Sequence, residues 1–474
     1  MSAIAPRSRP EESFETNRTG HIVTSLLGFV LTFVAFYPGL MSPDSDHQLM
    51  QARRFAFSDG HPVIMALIWA GTNRIWPGPQ GFFLLLLLMY WVGFFLVARY
   101  FAPRSHVAHW MAVVLPFMPF LINFSGTLWK DALVFDCFLL SLGIILCHSD
   151  KQRRLPIVRS IAVAVLLAVG SLARHNSALA AIPLLVFLRR PHSSYRDRIA
   201  DLTKSFGIAS LIVVVSVVAL NVILAALLRP EKTHPTNQLM LFDLVGISHR
   251  VDKNLLPGQW TDDETRSILN QCYEPRTWDS IWLRCDFAPA QLRREGQWSR
   301  LSRPWIRAIR SHPLAYAAHR VAYVGWFFAS AHLVFNWQVT NESIEHGFTG
   351  NLIFRFLKER ILGAASTYPF LILFTKAFWF VTAPIVFLIH LRLFGKHPVA
   401  TYPGLLVSAS AFLYTAPLAI VGIAHDFRYV YWGIGATCLA LVCAVDGWHS
   451  STRAGGPTVA ETAPAGESAS VGRP

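Results

Sequence analysis

Charged residues are scarce in this chain. Asp, Glu, Lys and Arg together make up 15% of its 474 residues, whereas a soluble globular domain carries about 25%. Hydrophobic residues make up 53%, and apolar runs such as 81–97 and 208–228 approach the roughly 20 residues with which a helix crosses a bilayer. The composition excludes an ordinary soluble protein and predicts an all-α polytopic membrane protein.

Cysteine is also sparse, with six residues in the chain. No CxxC pattern and no His/Cys cluster suggests a zinc site. Cys272 and Cys285 lie in a polar segment and could form a disulfide if that segment faces an oxidising compartment.

Acidic residues are fewer than basic ones, which leaves a formal net charge of +14. Such a charge can indicate nucleic-acid binding. Here Lys and Arg gather in short loops between apolar runs, where they set membrane topology. We therefore predict no nucleic-acid partner.

The distribution of basic residues predicts the topology. Arg7, Arg9 and Arg18 precede the first apolar run, 21–41, so the N-terminus is expected in the cytoplasm and the next loop outside. No cleavable signal peptide is evident, because residues 1–20 are polar and the following run is long enough to stay in the membrane. The same rule predicts about ten spans in the cell inner (plasma) membrane, or eleven if 314–336 also crosses.

The chain divides into five predicted regions. Residues 62–75 are apolar but short and predict an in-plane or re-entrant helix. Residues 229–315 are too many for a simple loop, typically of about 4–6 residues, and predict a small extramembrane insert. The regions are a cytoplasmic tail (1–20), an N-terminal transmembrane module with an outer loop at 42–62 (21–228), the insert (229–315), an interfacial helix with a C-terminal transmembrane module (316–446) and a disordered tail (447–474).

Unusual polar motifs fall on one predicted face of the membrane. They are SPDSD, SDGHP, LWKD, ARHN and HDFRY. The basic cytoplasmic turns carry no comparable motif. This asymmetry predicts a functional site on the outer face, since ionisable groups beside a bilayer are costly and often serve chemistry.

The first motif contains two acids, Asp44 and Asp46, in a turn that begins with Ser42 and Pro43. Two carboxylates at this spacing could take a proton or hold a divalent cation. We predict both as catalytic residues, and as metal ligands if a metal is present. The alternative for Asp46 is the N-cap of the following helix.

Asp59 and His61 stand in a turn that leads into the next apolar segment. Asp59 could cap that helix, and His61 could hydrogen-bond the substrate or the Asp44 loop. Lys130 and Asp131 follow Trp129 at an outer helix mouth. Lys130 could bind a phosphate with Asp131 keeping it charged, or the two could form a local ion pair beside an interfacial Trp.

Arg174 and His175 lie where two predicted spans meet outside. Positive-inside statistics disfavour an outer Arg, so Arg174 needs an anion, which is either a phosphate or one of the acids. The same alternatives apply to Arg428, with Asp426 beside it as a group that could hold it in place. All four are predicted to line the substrate site.

These motifs carry a resemblance. A first span followed by YPGLMSPDS, then SDGHPV, LWKD and ARHN, resembles bacterial multi-span glycosyltransferases of the GT-C class over residues 22–445. The sequence has HPV where that class would have HPP. The resemblance is to a class and not to an individual protein.

The resemblance implies a reaction. GT-C enzymes transfer a sugar from a polyprenyl-phosphate carrier, and an acid in the first outer loop acts as general base toward the acceptor hydroxyl. That acid would be Asp44, with Asp46 second, and basic residues would hold the donor phosphate. The insert would help to bind a glycan, lipid or protein acceptor. Some members bind a divalent metal and others do not, so the resemblance leaves a divalent metal open and establishes no cofactor.

Other classes of membrane protein remain alternatives. A transporter or flippase of a lipid-linked or small polar substrate would also have many spans, but it usually places polar groups near the bilayer midplane. A polymerase, ligase or phosphotransferase acting on lipid-linked substrates is a further alternative. The clustering of motifs on one face favours the glycosyltransferase.

Overall fold

The computed structural model describes residues 10–149, 155–188, 195–329, 339–394 and 398–454. Every regular secondary-structure element within these ranges is a helix. The β-contacts among the described residues are two isolated bridges, Leu40–Thr127 and Ser58–Glu231. The predicted all-α class is therefore confirmed.

The helices are numbered in chain order. The first ten are α1 (Pro10–Phe36), α2 (Pro43–Arg54), α3 (Val63–Ile75), α4 (Gln80–Phe101), α5 (His106–Val114), α6 (Pro119–Ile122), α7 (Lys130–Ser149), α8 (Ile157–Ala173), α9 (Ser177–Val186) and α10 (Tyr195–Leu228). The remaining ones are α11 (Thr236–Val251), α12 (Asp262–Asn270), α13 (Asp279–Arg284), α14 (Phe287–Arg294), α15 (Ser302–Ser311), α16 (Pro313–Ala329), α17 (Asn341–Glu345), α18 (Leu352–Ser366), α19 (Lys376–Phe394), α20 (Pro398–Val421) and α21 (Tyr431–Ala454). Short 3-10 helices cover Leu115–Phe117, Trp298–Arg300, Phe370–Phe374 and Phe427–Val430.

Seven helical segments of the described chain are long and apolar enough to cross a membrane. They are Thr19–Phe36, Gln80–Phe101, Lys130–His148, Ile199–Leu228, Lys376–Phe394, Thr401–Val421 and Phe427–Trp448. Four apolar helices are shorter, namely Val63–Ile75, His106–Phe117, Ile157–Ala173 and Ser177–Val186. The chain is thus a multi-pass helical membrane protein. Three of the ten predicted spans fall on shorter helices, so the number ten stays a prediction.

The first span ends earlier than the predicted Met41. Helix α1 stops at Phe36, and the chain turns through Gly39, which has a φ of +113°. A side chain at this position would also meet Leu128, because a Cβ built there lies 2.9 Å from its Cδ1 atom. Glycine is the residue that tolerates both conditions, so the turn brings the following acids against the start of α7.

The centre of the bundle is formed by α7 and α21, whose span windows are the most buried. Phe135 of α7 stacks on Tyr431 of α21 with ring centroids 4.1 Å apart. Phe138 and Trp432 meet edge to face one turn further along. By contrast, the span of α10 is almost entirely exposed. The two central helices begin close to Lys130 and Arg428, which places both cations at one end of the bundle.

The insert is built around α11 to α15. Cys272 and Cys285 form a disulfide within it, the pairing that the sequence left conditional. Asp243 of α11 is fully buried. Its carboxylate accepts a hydrogen bond from Trp305 Nε1 at 2.8 Å and lies 2.5 Å from Arg320 Nη2 of α16. The insert is therefore joined to α16 by a buried ionic contact.

The predicted tails lie partly outside the described residues. Residues 1–9 and 455–474 are not described, nor is 330–338 within the interfacial segment. Helix α1 begins at Pro10, inside the predicted tail 1–20. Helix α21 runs to Ala454, past residue 447, where the disordered tail was predicted to begin.

Candidate active site

The first acidic motif forms the start of α2. The helix begins at Pro43, and Ser42 is its N-cap, with the Ser42 hydroxyl accepting from the backbone N–H of Ser45. Trp129 Nε1 donates to the same hydroxyl at 3.0 Å. Asp46 is therefore not the N-cap, which corrects one of its two predicted roles. Both acids lie in the first helical turn, where the helix dipole stabilises their negative charge.

Asp44 faces one group from its own loop and one from a distant part of the chain. Its Oδ1 atom lies 3.8 Å from His61 Nε2, and its Oδ2 atom lies 3.9 Å from Arg428 Nη2. The Asp44 side chain remains 44% exposed, whereas those of Arg428 and His61 are 16% and 20% exposed. The carboxylate is thus held among partly buried groups but stays open to an incoming molecule.

The surroundings keep Asp44 ionised. Burial alone would raise the pKa of its carboxyl, but Arg428, His61 and Lys130 outweigh that effect, so the pKa lies below its ordinary value. Burial and the nearby Lys130 lower the pKa of His61 to about 4. His61 is therefore neutral at pH 7, and its contact with Asp44 is not an ion pair at that pH.

We expect a specific pH dependence if Asp44 acts as a base. A base must be ionised, so kcat/KM should not fall on the acid side until the pH passes below the ordinary pKa of an Asp side chain, about 4. Arg428→Gln removes the positive charge that lowers this pKa most, so the acid limb of the pH profile should move upward. Arg266→Gln, which changes an exposed insert residue, should not move it. An acid limb at the same pH in wild type and Arg428→Gln would contradict the assignment.

Asp46 has a partner that the sequence did not reveal. Its Oδ1 atom lies 3.1 Å from His346 Nε2. The same segment contacts the turn before α2, because Ser343 Oγ accepts from the N–H of Met41 at 2.9 Å and Thr340 Oγ1 donates to the Met41 carbonyl at 2.9 Å. The contact between Asp46 and His346 thus helps to hold α17 against the acidic turn that carries Asp44 and Asp46. No local pattern around His346 signals this contact.

Lys130 is a cation without a matching acid. It begins α7 and lies within electrostatic range of Asp44, Asp131, Arg174 and Arg428. Within the part of the chain that the structure describes, Lys130 forms no hydrogen bond or salt bridge. Its ammonium group is available to an anion that comes from outside the protein.

Asp131 pairs with Arg174 and not with Lys130. The guanidinium of Arg174 donates to Asp131 Oδ1 and lies 4.4 Å above the ring of Tyr429. The Asp131 side chain is 1% exposed, and its Oδ2 atom has no hydrogen-bond partner among the described residues. Of the two predicted anions for Arg174, the structure supplies the acid. The structure shows no ion pair between Lys130 and Asp131, so that alternative is wrong, but Asp131 remains close enough to favour the charged form of Lys130.

Arg428 is held in a fixed orientation. Its Nε atom donates to Asp426 Oδ2 at 3.0 Å, and its guanidinium lies 4.4 Å from the ring centroid of Trp129 and 5.3 Å from that of Tyr429. Aromatic faces attract a guanidinium without neutralising it. Arg428 can therefore still interact with an anion beside Asp44.

The backbone before Arg428 is also fixed. Four consecutive carbonyls, at 422–425, accept hydrogen bonds from the insert, α16 and α19. The donors are Arg320 Nη1 to Gly422 at 2.7 Å, the Trp278 N–H to Ile423 at 2.8 Å, Tyr323 Oη to Ala424 at 3.0 Å and Lys376 Nζ to His425 at 2.7 Å. This carbonyl cradle links the position of Arg428 to the packing of the insert.

Two predicted site residues have other surroundings. Asp59 Oδ1 accepts from the N–H and hydroxyl of Thr233, so its carboxylate holds the beginning of the insert, and no described contact joins it to Asp44 or Lys130. His175 is exposed and lies within electrostatic range of Lys130 and Arg174. It makes no hydrogen bond or ion pair to a described residue.

The site does not fit a divalent metal. Across the described ranges, no group of three or more His, Cys, Asp or Glu side chains could hold a metal ion. Asp44 and Asp46 also engage different partners, Arg428 and His346, so they do not form the predicted converging pair.

Comparison with known proteins does not identify the chain. No protein-family model matches it, and no curated protein and no solved structure matches it significantly.

Proposed function

We propose that this protein is a membrane glycosyltransferase of the GT-C type, which transfers a sugar from a polyprenyl-phosphate donor to an acceptor hydroxyl. The observation that carries the proposal is the juxtaposition of an open, ionised carboxylate, Asp44, with two cations, Lys130 and Arg428. A sugar on a polyprenyl phosphate already has a good leaving group. The protein must therefore orient the acceptor, take its proton and stabilise the phosphate.

The charges of the site favour a donor with a single phosphate. Arg174 is paired with Asp131, and Arg428 is shared between Asp426 and Asp44. Among the described residues, this leaves Lys130 as the cation without an acid. Three cations thus stand against three acids, so a sugar-linked polyprenyl monophosphate, a diester with one negative charge, leaves less uncompensated charge at the site than a diphosphate would.

An apolar groove supports a lipid carrier. It encloses about 500 Å³ and is lined mainly by α1, with Phe117 and Ile353 completing it. Its Val34 end lies close to the chain that follows α17, because Asn351 Nδ2, at the N-cap of α18, donates to the Val34 carbonyl at 2.7 Å. A polyprenyl chain in this groove would have its phosphate end directed toward Asp44 and Lys130.

In the proposed mechanism, Lys130 and Arg428 bind the donor phosphate. Asp44 takes the proton from the acceptor hydroxyl as that oxygen attacks the anomeric carbon and the bond to the phosphate oxygen breaks. The negative charge that builds up on the leaving phosphate is stabilised by the two cations. His61, neutral at pH 7, has its Nε2 atom 3.8 Å from Asp44 and adds no charge to the site.

The proposal includes a location. With about ten spans and a cytoplasmic N-terminus, the site lies on the periplasmic or extracellular side of the inner (plasma) membrane. The Cys272–Cys285 disulfide supports this side, because disulfides persist in oxidising compartments. The acceptor is a glycan, lipid or protein, and no nucleic acid takes part.

The test is transfer by the purified protein from a labelled polyprenyl-phosphate hexose. Transfer to an added acceptor, or slow hydrolysis of the donor to free sugar, would support the proposal. Donor binding without any release of sugar, combined with movement of the donor across proteoliposome membranes, would instead assign the protein to the flippases.

Lys130→Gln should mainly weaken donor binding. The substitution removes the positive charge that no described acid pairs with. A hydrogen bond to a charged group contributes about 1.5–3 kcal/mol, so the donor dissociation constant should rise about 10- to 100-fold. The binding of a labelled donor to the detergent-solubilised protein measures this. Lys232→Gln, an exposed lysine of the insert, is the matched control. Equal donor affinity in Lys130→Gln and wild type would remove Lys130 from the phosphate site.

A further inference from the structure

The insert carries a cluster of exposed arginines that the proposed reaction does not use. Residues 293–310 contain six arginines and a single acid, Glu295. All six arginines are exposed: Arg293, Arg294, Arg300, Arg303, Arg307 and Arg310. A surface of one sign at this density needs a partner of the opposite sign or a cloud of counterions.

Three of these arginines form a row on α15. Arg303, Arg307 and Arg310 follow the i, i+4, i+7 spacing, which places them within roughly 60° of one another around the helix. The opposite side of α15 is anchored, because Trp305 donates to Asp243 and Ala308 is buried. We call Arg303, Arg307 and Arg310 the arginine stripe. Because the opposite side of α15 packs on the insert, the arginine stripe points away from the insert.

The arginine stripe has no ionic partner in the described structure. None of its members forms a salt bridge or hydrogen bond with another described residue. Other arginines of the insert are paired, such as Arg266 with Asp263 and Arg284 with Glu274. The stripe is therefore not part of the internal ionic network of the insert.

Exposed apolar side chains adjoin the stripe. Helix α16 begins at Pro313, separated from the end of α15 by His312 alone. Leu314, Val321 and Trp326 of α16 are 84%, 72% and 47% exposed. A row of cations followed by exposed apolar residues matches the order of layers at a bilayer surface, where headgroup phosphates lie above acyl chains.

We propose that the arginine stripe docks on the phosphates of anionic phospholipids, so that α15 lies on the membrane surface while the exposed residues of α16 enter the acyl region. A guanidinium can bind two phosphate oxygens, and anionic lipids attract basic residues close to the surface. A soluble polyanion would match the arginines but would leave the adjoining apolar residues of α16 uncovered. The docking does not depend on the reaction at Asp44.

Native mass spectrometry of the full-length protein in detergent tests the proposal. The affinity for phosphatidylglycerol is compared with that for phosphatidylcholine in wild type and in Arg303→Gln/Arg307→Gln/Arg310→Gln. Wild type should prefer phosphatidylglycerol. The triple variant should lose on the order of 100-fold in affinity for the most tightly bound phosphatidylglycerol, since each arginine contributes about fivefold.

Three controls separate charge from structure. The matched variant Lys232→Gln/Lys253→Gln/Arg266→Gln removes three exposed insert cations outside the stripe and should keep the phosphatidylglycerol affinity. Replacing the stripe by three lysines should also keep most of the affinity. If the triple Gln variant does not fold, Arg307→Gln alone should show about a fivefold loss.

Several results would overturn the proposal. These are an unchanged phosphatidylglycerol affinity in the triple Gln variant, an equal loss in the matched variant, or a complete loss in the lysine variant. Stripe-dependent binding of dextran sulfate without any preference for phosphatidylglycerol would also overturn it and would assign the stripe to a soluble polyanion.

Discussion

Replacing Asp44 by Asn is expected to reduce sugar transfer by about 10²–10⁴-fold, the range that a general base contributes. Asn has nearly the same shape as Asp but cannot accept the proton of the acceptor hydroxyl. The contacts of the turn should survive, because they come from Ser42, Ser45 and Trp129 and do not involve Asp44. The donor should therefore still bind, and the loss should lie in kcat.

Asp46→Asn is the matched control for Asp44→Asn. Asp46 stands in the same turn, but its carboxylate faces His346 at 3.1 Å and is not the acid beside Arg428. Asn can still accept a hydrogen bond from His346, so the expected loss of kcat is small. Transfer rates of both variants from the same labelled donor give the comparison. Near-normal transfer by Asp44→Asn, or a larger loss in Asp46→Asn, would contradict the assignment of Asp44 as the base.

Replacing Asp243 by Asn should destabilise the protein by about 3–5 kcal/mol, because removing one partner of a buried ion pair leaves the other charge uncompensated. Asp243 is fully buried and contacts Arg320, Trp305 and His319. The remaining charge on Arg320 would stay buried without its acid. Chemical unfolding of the detergent-solubilised protein, followed by circular dichroism, measures the change.

Asp263→Asn provides the control for Asp243→Asn. Asp263 also pairs with an arginine, Arg266, but both side chains are highly exposed, at 87% and 73%. Exposed ion pairs contribute about 0–1 kcal/mol, so this variant should unfold nearly as wild type does. Equal destabilisation by the two variants would show that the buried contact of Asp243 has no special role.

Asp243→Asn should also weaken donor binding at the candidate site. Arg320 binds both Asp243 and the carbonyl of Gly422, which is the first acceptor of the carbonyl cradle. A shift of Arg320 would loosen the segment that carries Arg428. We therefore expect weaker donor binding in Asp243→Asn even under conditions where the protein remains folded.

The sequence motifs predict that several site residues lie close together. Asp44, His61, Lys130 and Arg428 come from four separate motifs, and the structure brings them into one cluster. Topology explains this agreement, because motifs at the mouths of successive helices on one side share the same end of a bundle. For the same reason, Asp426 was correctly considered as the group that holds Arg428.

The sequence motifs do not predict the individual pairings of these charges. Asp131 has Lys130 beside it in sequence, yet it binds Arg174, which is 43 residues away. Asp59 looked like a site residue, yet it holds Thr233 at the start of the insert. A sequence motif shows which charges lie near a helix mouth, but the direction of each side chain depends on how the helices pack.

The sequence by itself determined that this is a helical, multi-pass membrane protein whose acidic and basic motifs gather at helix ends. Hydropathy along the chain is a local property, because each apolar run of about 20 residues must satisfy its own backbone hydrogen bonds in lipid. Only the tertiary structure decided which acidic side chain stays accessible to a substrate and which one is paired with another residue of the protein. Asp46 contacts His346, which is 300 residues away in the sequence, whereas Lys130 forms no salt bridge with a described acid. The partner of a charged side chain is set by three-dimensional proximity and not by position in the sequence.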